Sequence, residues 1–487
     1  MNAALPILAL FTVLALGLGL YARRGHDMGL EGWAVGGRGF GPVLVFLLLA
    51  GEIYTTFTFL GASGFSYGSG APAYYIIAYG ALAYVLGYFL LPAVWRVGQA
   101  NKLVSQPDLF VHQYDSPALG VLVAVVDIVA LIPYLVLQLT GLGIIVSLAS
   151  YGAIDKAVAI WIGAIIVTLY IVASGVRGSA WTAVVKDIMI LAIVVFLGLY
   201  LPYHLYGGIG AMFTKINTAK PGFLVFPASG QSIWWFATTV LLTSLGFFMW
   251  PHSLGACFTA RNGNVFRKNA IALPIYQLIL LFVYFVGFAA VLSVPGLKGA
   301  ATNLALFKIV IAQFPPWFVG LVGAVGILTA LVPGSLIAMT AATLTARNLY
   351  GLARPGASDD EIVKVAKLFV PVIMLIAVYF TLSGSSTIVS LLLVGYSFVT
   401  QLFPALVASF FPQTGVTKQG AFAGIATGVL LSAWLTFTGQ SVGKLMPFLP
   451  QAIKDFNVGI IALALNVAIM LVVSALTSRK ALQPARS

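Results

Sequence analysis

The chain of 487 residues is 61% hydrophobic and only 8% charged, and its formal net charge at neutral pH is +13. Soluble domains are about 45–50% apolar and about 25% charged, so this composition excludes a soluble globular protein and indicates a polytopic membrane protein. The positive charge does not indicate a nucleic-acid partner, because the Lys and Arg residues are scattered over many loops instead of being clustered on one face.

Thirteen transmembrane helices are predicted, because runs of about 20 apolar residues separated by short polar links recur along the whole chain. They cover residues 3–21, 41–68, 72–95, 118–150, 157–174, 181–203, 232–257, 270–294, 316–345, 366–383, 386–411, 420–438 and 457–477. Basic residues follow the first run instead of preceding it, so we expect a retained span with its amino end outside, not a cleaved signal peptide. All 11 arginines and 6 of the 14 lysines then fall on the cytoplasmic side, as the positive-inside rule requires. We therefore expect a multi-pass protein of the cell membrane, in contact with the lipid bilayer, whose C-terminus is cytoplasmic.

The spans form two blocks of five, at 41–203 and 232–411, after one extra span at 3–21 and before two more at 420–477. An odd number of spans per block gives the second block inverted topology, which is the architecture of many secondary transporters. We therefore predict one all-α transmembrane domain over the whole chain, built on a 5+5 inverted repeat.

In that architecture the first helix of each block is broken near the middle of the bilayer, and the freed backbone groups hold substrate and ions. Both first helices contain residues that can break a helix. In the first block they are Gly61, Gly64 and Gly68, and in the second they are Gly246 and Pro251. The glycines could instead allow close packing between helices, which is common in membrane bundles.

Several motifs between about residue 30 and residue 430 resemble the sodium:solute symporter family. They are "FTFLGASGFSYGSGAPA", "YLVLQLTGLG", "SGVRGSAWTAVVKD", "WPH", "TLTARNLY" and "GYSFVTQLFPALVASFFPQTGVTKQGAFAG". The resemblance implies a LeuT-like fold with one extra amino-terminal span, and a transporter of small organic solutes, not an enzyme. Within the family, "VKD" together with E-x-Y-T-x-F-T-F is similar to the monocarboxylate permease branch, whose members take up lactate, pyruvate, acetate or propionate.

The departures from the sodium-coupled pattern concern the cation site. The resemblance places its two hydroxyl positions on Val332 and Pro333 in "ILTALVPGSLIAMT", and places an aspartate of the relatives on Ala183 in "WTAVV". None of these side chains offers an oxygen. Because a hard cation such as sodium needs about five or six oxygen ligands, we expect no sodium site here.

The resemblance also brings Lys186 and Glu52 toward the same place, because the backbone carbonyls that would face sodium belong to about Gly51 and Tyr54. We expect the Lys186 ammonium group to supply the positive charge that sodium supplies in relatives. A buried lysine beside a carboxylate can exchange its proton, so Lys186 could carry a coupling proton. Two alternatives stay open: a fixed Lys186–Glu52 ion pair, and a lysine that snorkels to the cytoplasmic interface.

Asp187 is expected on a different helix face from Lys186, about 100° around the axis. It could cap a helix, pair with Arg177 or line the inner path. The hydroxyls of Thr55, Thr56 and Thr58 could hold a carboxylate at the helix break, or could bond back to their own helix.

Three further positions are candidates for substrate contact, and one is a candidate gate. Phe59 could close over a small ligand, although aromatic residues in spans more often pack. Gln138 and Gln401 are amides inside spans, for which interhelical bonding is favoured over substrate contact. His252 could relay protons, but a structural role at an inner gate is favoured.

The sequence therefore predicts a secondary active transporter that works by alternating access and carries a short monocarboxylate, an organic anion, with a proton. No cofactor or metal is expected, since Cys257 has no partner spacing and no G-x-x-x-x-G-K-[ST] motif occurs. The alternatives are a sodium-coupled symporter of an amino acid, sugar or vitamin, and a membrane sensor with a transporter fold.

Overall fold

The computed structural model describes residues 3–22, 24, 29–51 and 54–481. Helices make up nearly all regular structure in this part of the chain, which confirms the predicted all-α fold. Glu52, one of the residues that the sequence places at the ion site, lies outside the described residues.

The first half of the chain, as far as residue 219, contains nine α-helices. They are α1 Ala4–Ala22, α2 Leu30–Val35, α3 Pro42–Gly51, α4 Ser63–Ser69, α5 Tyr75–Ala100, α6 Gln106–Tyr114, α7 Pro117–Ala149, α8 Lys156–Tyr206 and α9 Ile209–Ala219. A π-helical turn over Phe57–Ala62 leads directly into α4.

The second half contains two groups of α-helices, separated by a π-helical segment over Thr345–Tyr350. Before it come α10 Ile233–Gly246, α11 Pro251–Cys257, α12 Asn264–Gln277, α13 Leu280–Ser293, α14 Ala305–Gln313 and α15 Pro316–Leu344. After it come α16 Gly351–Ala353, α17 Asp359–Ser383, α18 Ile388–Val399, α19 Phe403–Ser409, α20 Lys418–Phe437, α21 Val442–Leu445, α22 Gln451–Lys454 and α23 Val458–Ala481.

Ten helices of the described residues are long and apolar enough to cross a membrane, or eleven if one bent pair counts as a single span. The predicted number of thirteen is therefore not confirmed. One reason is that predicted spans 157–174 and 181–203 both fall in α8, whose 51 residues comprise two helical stretches joined across a kink between those spans. Its backbone departs from helical geometry at Gly175, whose φ of 61° is unfavourable for other residues. A second reason is that the predicted span 41–68 is divided into α3, the π-helical turn and α4.

Both predicted broken helices are interrupted, but the first is interrupted earlier than the glycines suggest. α3 ends at Gly51, six residues before the π-helical turn begins. A Cβ atom on Gly64 would lie 2.7 Å from the carbonyl oxygen of Thr302, and one on Gly61 would lie 3.0 Å from Ile388. These glycines therefore permit close packing and do not break the helix, contrary to our expectation.

The second interruption lies where the sequence places it. α10 ends at Gly246, a short 3₁₀ turn follows, and Trp250 adopts an extended backbone with ψ of 126°. Pro251 then begins α11, and the two parts of this pair are bent by 52°. Proline at the first helical position suits this geometry, because its missing N–H would have no partner there.

The interior of the bundle is formed by α7, α8 and α15, with α1, α3, α17 and α18 packed around them. Most side chains of α15 are buried, including Val332 and Pro333. We use "the α6 end" for the end of the bundle that carries α6 and the polar residues Asp108, Arg347 and Glu361. There Asp108 accepts a hydrogen bond from Asn348 at 2.8 Å and lies 3.7 Å from Arg347.

Candidate functional site

The end of α3 presents carbonyl groups to the bundle interior. The last carbonyls of a helix have no partner within the helix and need a donor from elsewhere. Lys186 of α8 supplies it, because its Nζ atom lies 3.2 Å from the carbonyl oxygen of Gly51 and 3.1 Å from that of Tyr54. The Lys186 side chain is fully buried. The structure thus brings together three of the residues that the sequence assigns to the ion site.

The third partner of the ammonium group is the neighbouring carboxylate. Asp187 Oδ1 lies 3.0 Å from Lys186 Nζ, and both side chains are buried. The sequence did not predict this contact between neighbouring residues, which is possible because a long lysine side chain can turn back toward the next residue. Arg177, the other partner considered for Asp187, instead donates to the carbonyl of Gly36 at 2.6 Å.

The ammonium group of Lys186 has three N–H donors; two carbonyl oxygens accept hydrogen bonds from it, and the Asp187 carboxylate is its ion-pair partner. A buried charge without partners would cost several kcal/mol, on the order of the penalty seen for isolated ions in proteins. Here the positive charge is neutralised by Asp187 and hydrogen-bonded by the backbone. The ammonium group thus places a positive charge beside the carbonyl groups to which the resemblance assigns a bound cation.

Tyr276 of α12 completes this cluster, and nothing in its sequence context, "LPIYQLI", singles it out. Its ring packs edge-on against Tyr54, with ring centroids 4.9 Å apart, and the Tyr54 hydroxyl donates to the Tyr276 carbonyl at 3.0 Å. The Tyr276 hydroxyl faces the Asp187 carboxylate. Only the three-dimensional packing of α12 against α3 reveals this contact.

The opposite wall of the cluster is apolar. Val332 packs with Leu47 and Ala183, and Pro333 lies inside α15. The hydroxyl of Ser335, one turn after Val332 on α15, donates to the carbonyl of Val332 at 2.7 Å and lies 2.8 Å from the Ser179 hydroxyl. Val332 and Pro333 therefore give the carbonyls of α3 no facing side-chain oxygen.

Thr56 and Gln138 form a second polar contact, beyond the break of the first helix. The Thr56 hydroxyl lies 2.7 Å from Gln138 Oε1 and donates to it, and the Thr56 backbone N–H donates to the same oxygen at 3.4 Å. Gln138 is 1% exposed, and its Nε2 group has no hydrogen-bond partner among the described residues. A buried amide donor without a partner is costly, so this group is a candidate for binding a ligand oxygen.

The other three residues of this helix that the sequence nominates are engaged locally. Thr58 Oγ1 accepts from the Thr55 N–H and donates to the Thr55 carbonyl, both at 3.0 Å. Thr55 Oγ1 accepts from the Phe57 N–H at 3.1 Å. Phe59 is buried and packs edge-on against Phe307, with centroids 6.3 Å apart. The structure thus favours the back-bonding alternative for Thr55 and Thr58, and packing for Phe59.

Gly246 and Gln401 lie apart from Thr56 and Gln138 and have other partners. A Cβ atom on Gly246 would lie 2.1 Å from Thr400 Oγ1, so glycine is needed for the close approach of α10 and the segment after α18. Gln401 Nε2 donates to the carbonyl of Ser397 at 3.1 Å, and Asn466 of α23 donates to the Gln401 carbonyl at 2.7 Å. These contacts favour interhelical bonding for Gln401.

His252 lies just after the second helix break. It is buried, and its ring contacts those of Tyr134 and Trp250, with centroids 5.3 and 5.9 Å away. It lines a cavity of about 30 Å³ together with Gln106 and Thr340. That volume holds about one water molecule. The position is compatible with the predicted gate, since opening this cavity would connect the interior to the α6 end.

Comparison with known proteins gives a consistent family assignment. A model of the sodium:solute symporter family matches residues 33–428. The uncharacterized symporter YhjB of Bacillus subtilis (strain 168) is 60% identical over 98% of this chain and 98% of its own length. A monocarboxylate transport permease protein of Rhizobium johnstonii is 30% identical over 99% of this chain and 98% of its own.

Solved structures share the fold at low sequence identity. A Na⁺-coupled sialic acid symporter in a substrate-bound, outward-open state superposes with a TM-score of 0.80 at 17% identity, over 98% of both chains. The transporter MhsT in complex with L-phenylalanine gives a TM-score of 0.56 at 14% identity, over 90% of this chain and 99% of that one. These structural similarities concern the fold alone, and they agree with the predicted LeuT-like fold.

Proposed function

The chain belongs to the sodium:solute symporter family, and from that premise we propose that it is a secondary active transporter that carries a short monocarboxylate together with a proton. The family makes it a multi-pass membrane transporter of a small solute and not an enzyme. The coupling ion and the substrate are the parts that we propose.

One observation carries the proposal of proton coupling: the Lys186 ammonium group is hydrogen-bonded to the carbonyl oxygens of Gly51 and Tyr54. A sodium ion bound to these carbonyls would have to displace the ammonium group. It would also meet Val332 and Pro333, which offer no side-chain oxygen. A charge that is covalently attached to the protein cannot be carried across the membrane, but its proton can.

The contacts of Lys186 describe how the proton is held and released. While α3 stays packed against α8, the ammonium group is hydrogen-bonded to two carbonyl oxygens and paired with Asp187, so the ammonium form is stabilised. If the first broken helix moves away from α8 during the transport cycle, both hydrogen bonds are lost. The proton then becomes free to leave, and the neutral amine and Asp187 remain. Release of the proton is thereby linked to movement of the broken helix.

The substrate proposal rests on the polar groups beyond the break and on a relative. Gln138 Nε2 is a buried donor without a partner among the described residues, and an organic carboxylate would supply the missing acceptor. The Thr56 hydroxyl holds the other end of the same amide and fixes its orientation. The permease of Rhizobium johnstonii is a monocarboxylate transporter by name. Short acids such as lactate, pyruvate, acetate and propionate match this single donor site.

The test is uptake of labelled lactate by the purified protein in lipid vesicles, with proton and sodium gradients imposed separately. We expect accumulation with a proton gradient in the complete absence of sodium, and no added accumulation from a sodium gradient. Unlabelled pyruvate, acetate or propionate should compete, whereas a sugar or proline should not. Accumulation that requires sodium would instead support the alternative, a sodium symporter of another organic solute.

A further inference from the structure

One face of α7 carries three polar side chains into the bundle interior. Asp127, Tyr134 and Gln138 follow one another at intervals of seven and four residues, which places them on the same side of a helix. Gln138 contacts Thr56 at the proposed substrate site, and Tyr134 contacts His252 beside the small cavity. Asp127 lies about 10 Å further along the helix, toward its first turn and the α6 end.

Asp127 is fully buried, and neither carboxylate oxygen has a hydrogen-bond partner among the described residues. Asp187, the other buried acid that the described residues place in the interior, has the Lys186 ammonium group at 3.0 Å. An ionised carboxylate without a cation or a hydrogen bond is very costly inside a protein, so such a group takes up a proton instead. We therefore expect Asp127 to be a neutral carboxylic acid in this conformation.

The titratable groups on neighbouring elements do not change this conclusion. Among the described residues, those that reach the interior from elements near α7 are Tyr114 of α6, Tyr170, Lys186 and Asp187 of α8, Tyr396 of α18 and His252 of α11. The Tyr170 hydroxyl is hydrogen-bonded to that of Thr182 at 2.8 Å. Lys186 and Asp187 are paired with each other, and the Tyr114 hydroxyl donates to the carbonyl of Ala405 at 2.6 Å. At the α6 end, Arg347 is near Asp108 and Arg354 is paired with Glu361. Within the described part of the chain, no side chain or backbone group is hydrogen-bonded to the Asp127 carboxyl oxygens.

We propose that Asp127 is a second proton-binding site of the transporter, which is protonated while the interior is closed and releases its proton when the α6 end opens to water. This inference rests on the proposed proton coupling. The carboxylate takes its proton from water and returns it to water, so its charge changes only between −1 and 0. We expect water to enter on this side through the cavity that His252 and Gln106 line, since the Gln106 amide atoms have no partner among the described residues.

The proposal predicts the direction in which the rate of substrate exchange changes with pH. Closing the interior requires the neutral form of Asp127, because the ionised form would be buried without a partner. Alkaline conditions on both sides of the membrane should therefore slow exchange of substrate. In Asp127→Asn the amide is neutral at every pH and has nearly the same shape. Its exchange should lose this alkaline inhibition, while net accumulation driven by a proton gradient should fall at least tenfold.

The experiment uses the full-length protein in vesicles that contain a pH-sensitive dye. Lactate is added outside, and proton entry and lactate exchange are measured over a range of pH for the original protein, Asp127→Asn and Asp127→Glu. We expect lactate-driven proton entry in the original protein, fewer protons per lactate in the Asn variant and partial recovery in the Glu variant. The matched control is Asp455→Asn, since Asp455 is buried but bonds to Gly230 and Gln451 away from α7.

Infrared difference spectra of the same proteins give a second readout that does not need transport. A protonated carboxyl band should be present at neutral pH and should be missing in Asp127→Asn, and absence of such a band from the original protein would overturn the inference. Proton entry in Asp127→Asn equal to that of the original protein would also overturn it, while leaving proton coupling intact. If the original protein moves no protons with lactate, the proposed function fails, and the role of Asp127 fails with it.

Discussion

The Nζ atom of Lys186 lies 3.1 Å from the backbone carbonyl oxygen of Tyr54, so a side chain of α8 satisfies the backbone at the break of the first helix. Asp187, the next residue along α8, neutralises the same ammonium group. The positive charge at this position therefore belongs to the protein. The contacts that join the first broken helix to α8 depend on the protonation of the Lys186 amine.

Sodium is not expected to bind to the unaltered protein. A ligand present at about 100 times its Kd would stabilise the folded state by about 2.7 kcal/mol, which is visible as a rise in Tm. We expect the Tm of the detergent-solubilised protein to be the same in sodium chloride and in choline chloride at equal ionic strength. A rise in Tm that saturates with sodium concentration would show that the protein binds sodium. It would contradict the claim that Lys186 occupies the position of the cation.

The Lys186–Asp187 pair should show strong coupling in a double-mutant cycle. Asp187→Asn leaves the ammonium group buried without its counter-charge, and we expect a loss of about 3–5 kcal/mol of stability, the range known for breaking buried ion pairs. Lys186→Met should cost a similar amount. The double variant Lys186→Met with Asp187→Leu should recover much of this loss, because no buried charge is left. Additive losses measured by denaturant unfolding would mean that the two groups do not depend on each other.

Gln138 and Gln401 are both buried amides, and we predict that their substitutions separate binding from stability. Gln138→Leu should weaken lactate binding at least tenfold, because the only donor proposed for the carboxylate is removed. Gln401→Leu should leave lactate affinity unchanged but should lower stability by about 1–3 kcal/mol, since Asn466 and Gly459 lose a partner. Lactate titrations followed by Tm would check both. Equal loss of affinity in the two variants would remove the distinction between the sites.

Close packing at the second helix break gives a prediction with a control in the same broken helix. Gly246→Ala places a Cβ atom 2.1 Å from Thr400 Oγ1, and we expect a cost of about 1–3 kcal/mol from overpacking. Gly255→Ala in α11 adds a Cβ atom with no heavy atom within 4 Å and should be neutral or slightly stabilising. Equal stability of both variants in thermal unfolding would show that α10 can move away from Thr400 at no cost.

The sequence predicted those features that depend on hydrophobic runs and motifs, and it did not predict contacts that depend on how side chains pack. The all-α fold, the family and the interruption before Pro251 were predictable from hydrophobic runs and motifs. The meeting of Lys186 with the carbonyls of Gly51 and Tyr54 followed from the resemblance. The contact of Asp187 with Lys186 did not, because a rotation of 100° per residue says nothing about where a flexible lysine side chain turns.

Other parts of the site depend on which helices are neighbours. Tyr276 is one aromatic residue among many in the spans, and only the packing of α12 on α3 brings it to Asp187. Asp127 is not part of any motif discussed above, although an acid in the middle of the apolar run "VLVAVVDIVALIPY" itself indicates a functional position. The number of thirteen spans is not confirmed by helix length and composition, because α8 joins two helical stretches across a kink at Gly175 and the predicted span 41–68 is divided at its break.

The most direct test of proton coupling through Lys186 is accumulation of lactate by Lys186→Arg in vesicles with an imposed proton gradient and no sodium. A guanidinium group keeps the positive charge but does not release its proton in the accessible pH range. We predict that this variant folds and still exchanges lactate across the membrane but loses gradient-driven accumulation at least tenfold, whereas Lys308→Arg on the exposed surface of α14 behaves like the original protein. Accumulation by Lys186→Arg with the pH dependence of the original protein would contradict the account, because Lys186 would then be a fixed charge and not the proton carrier.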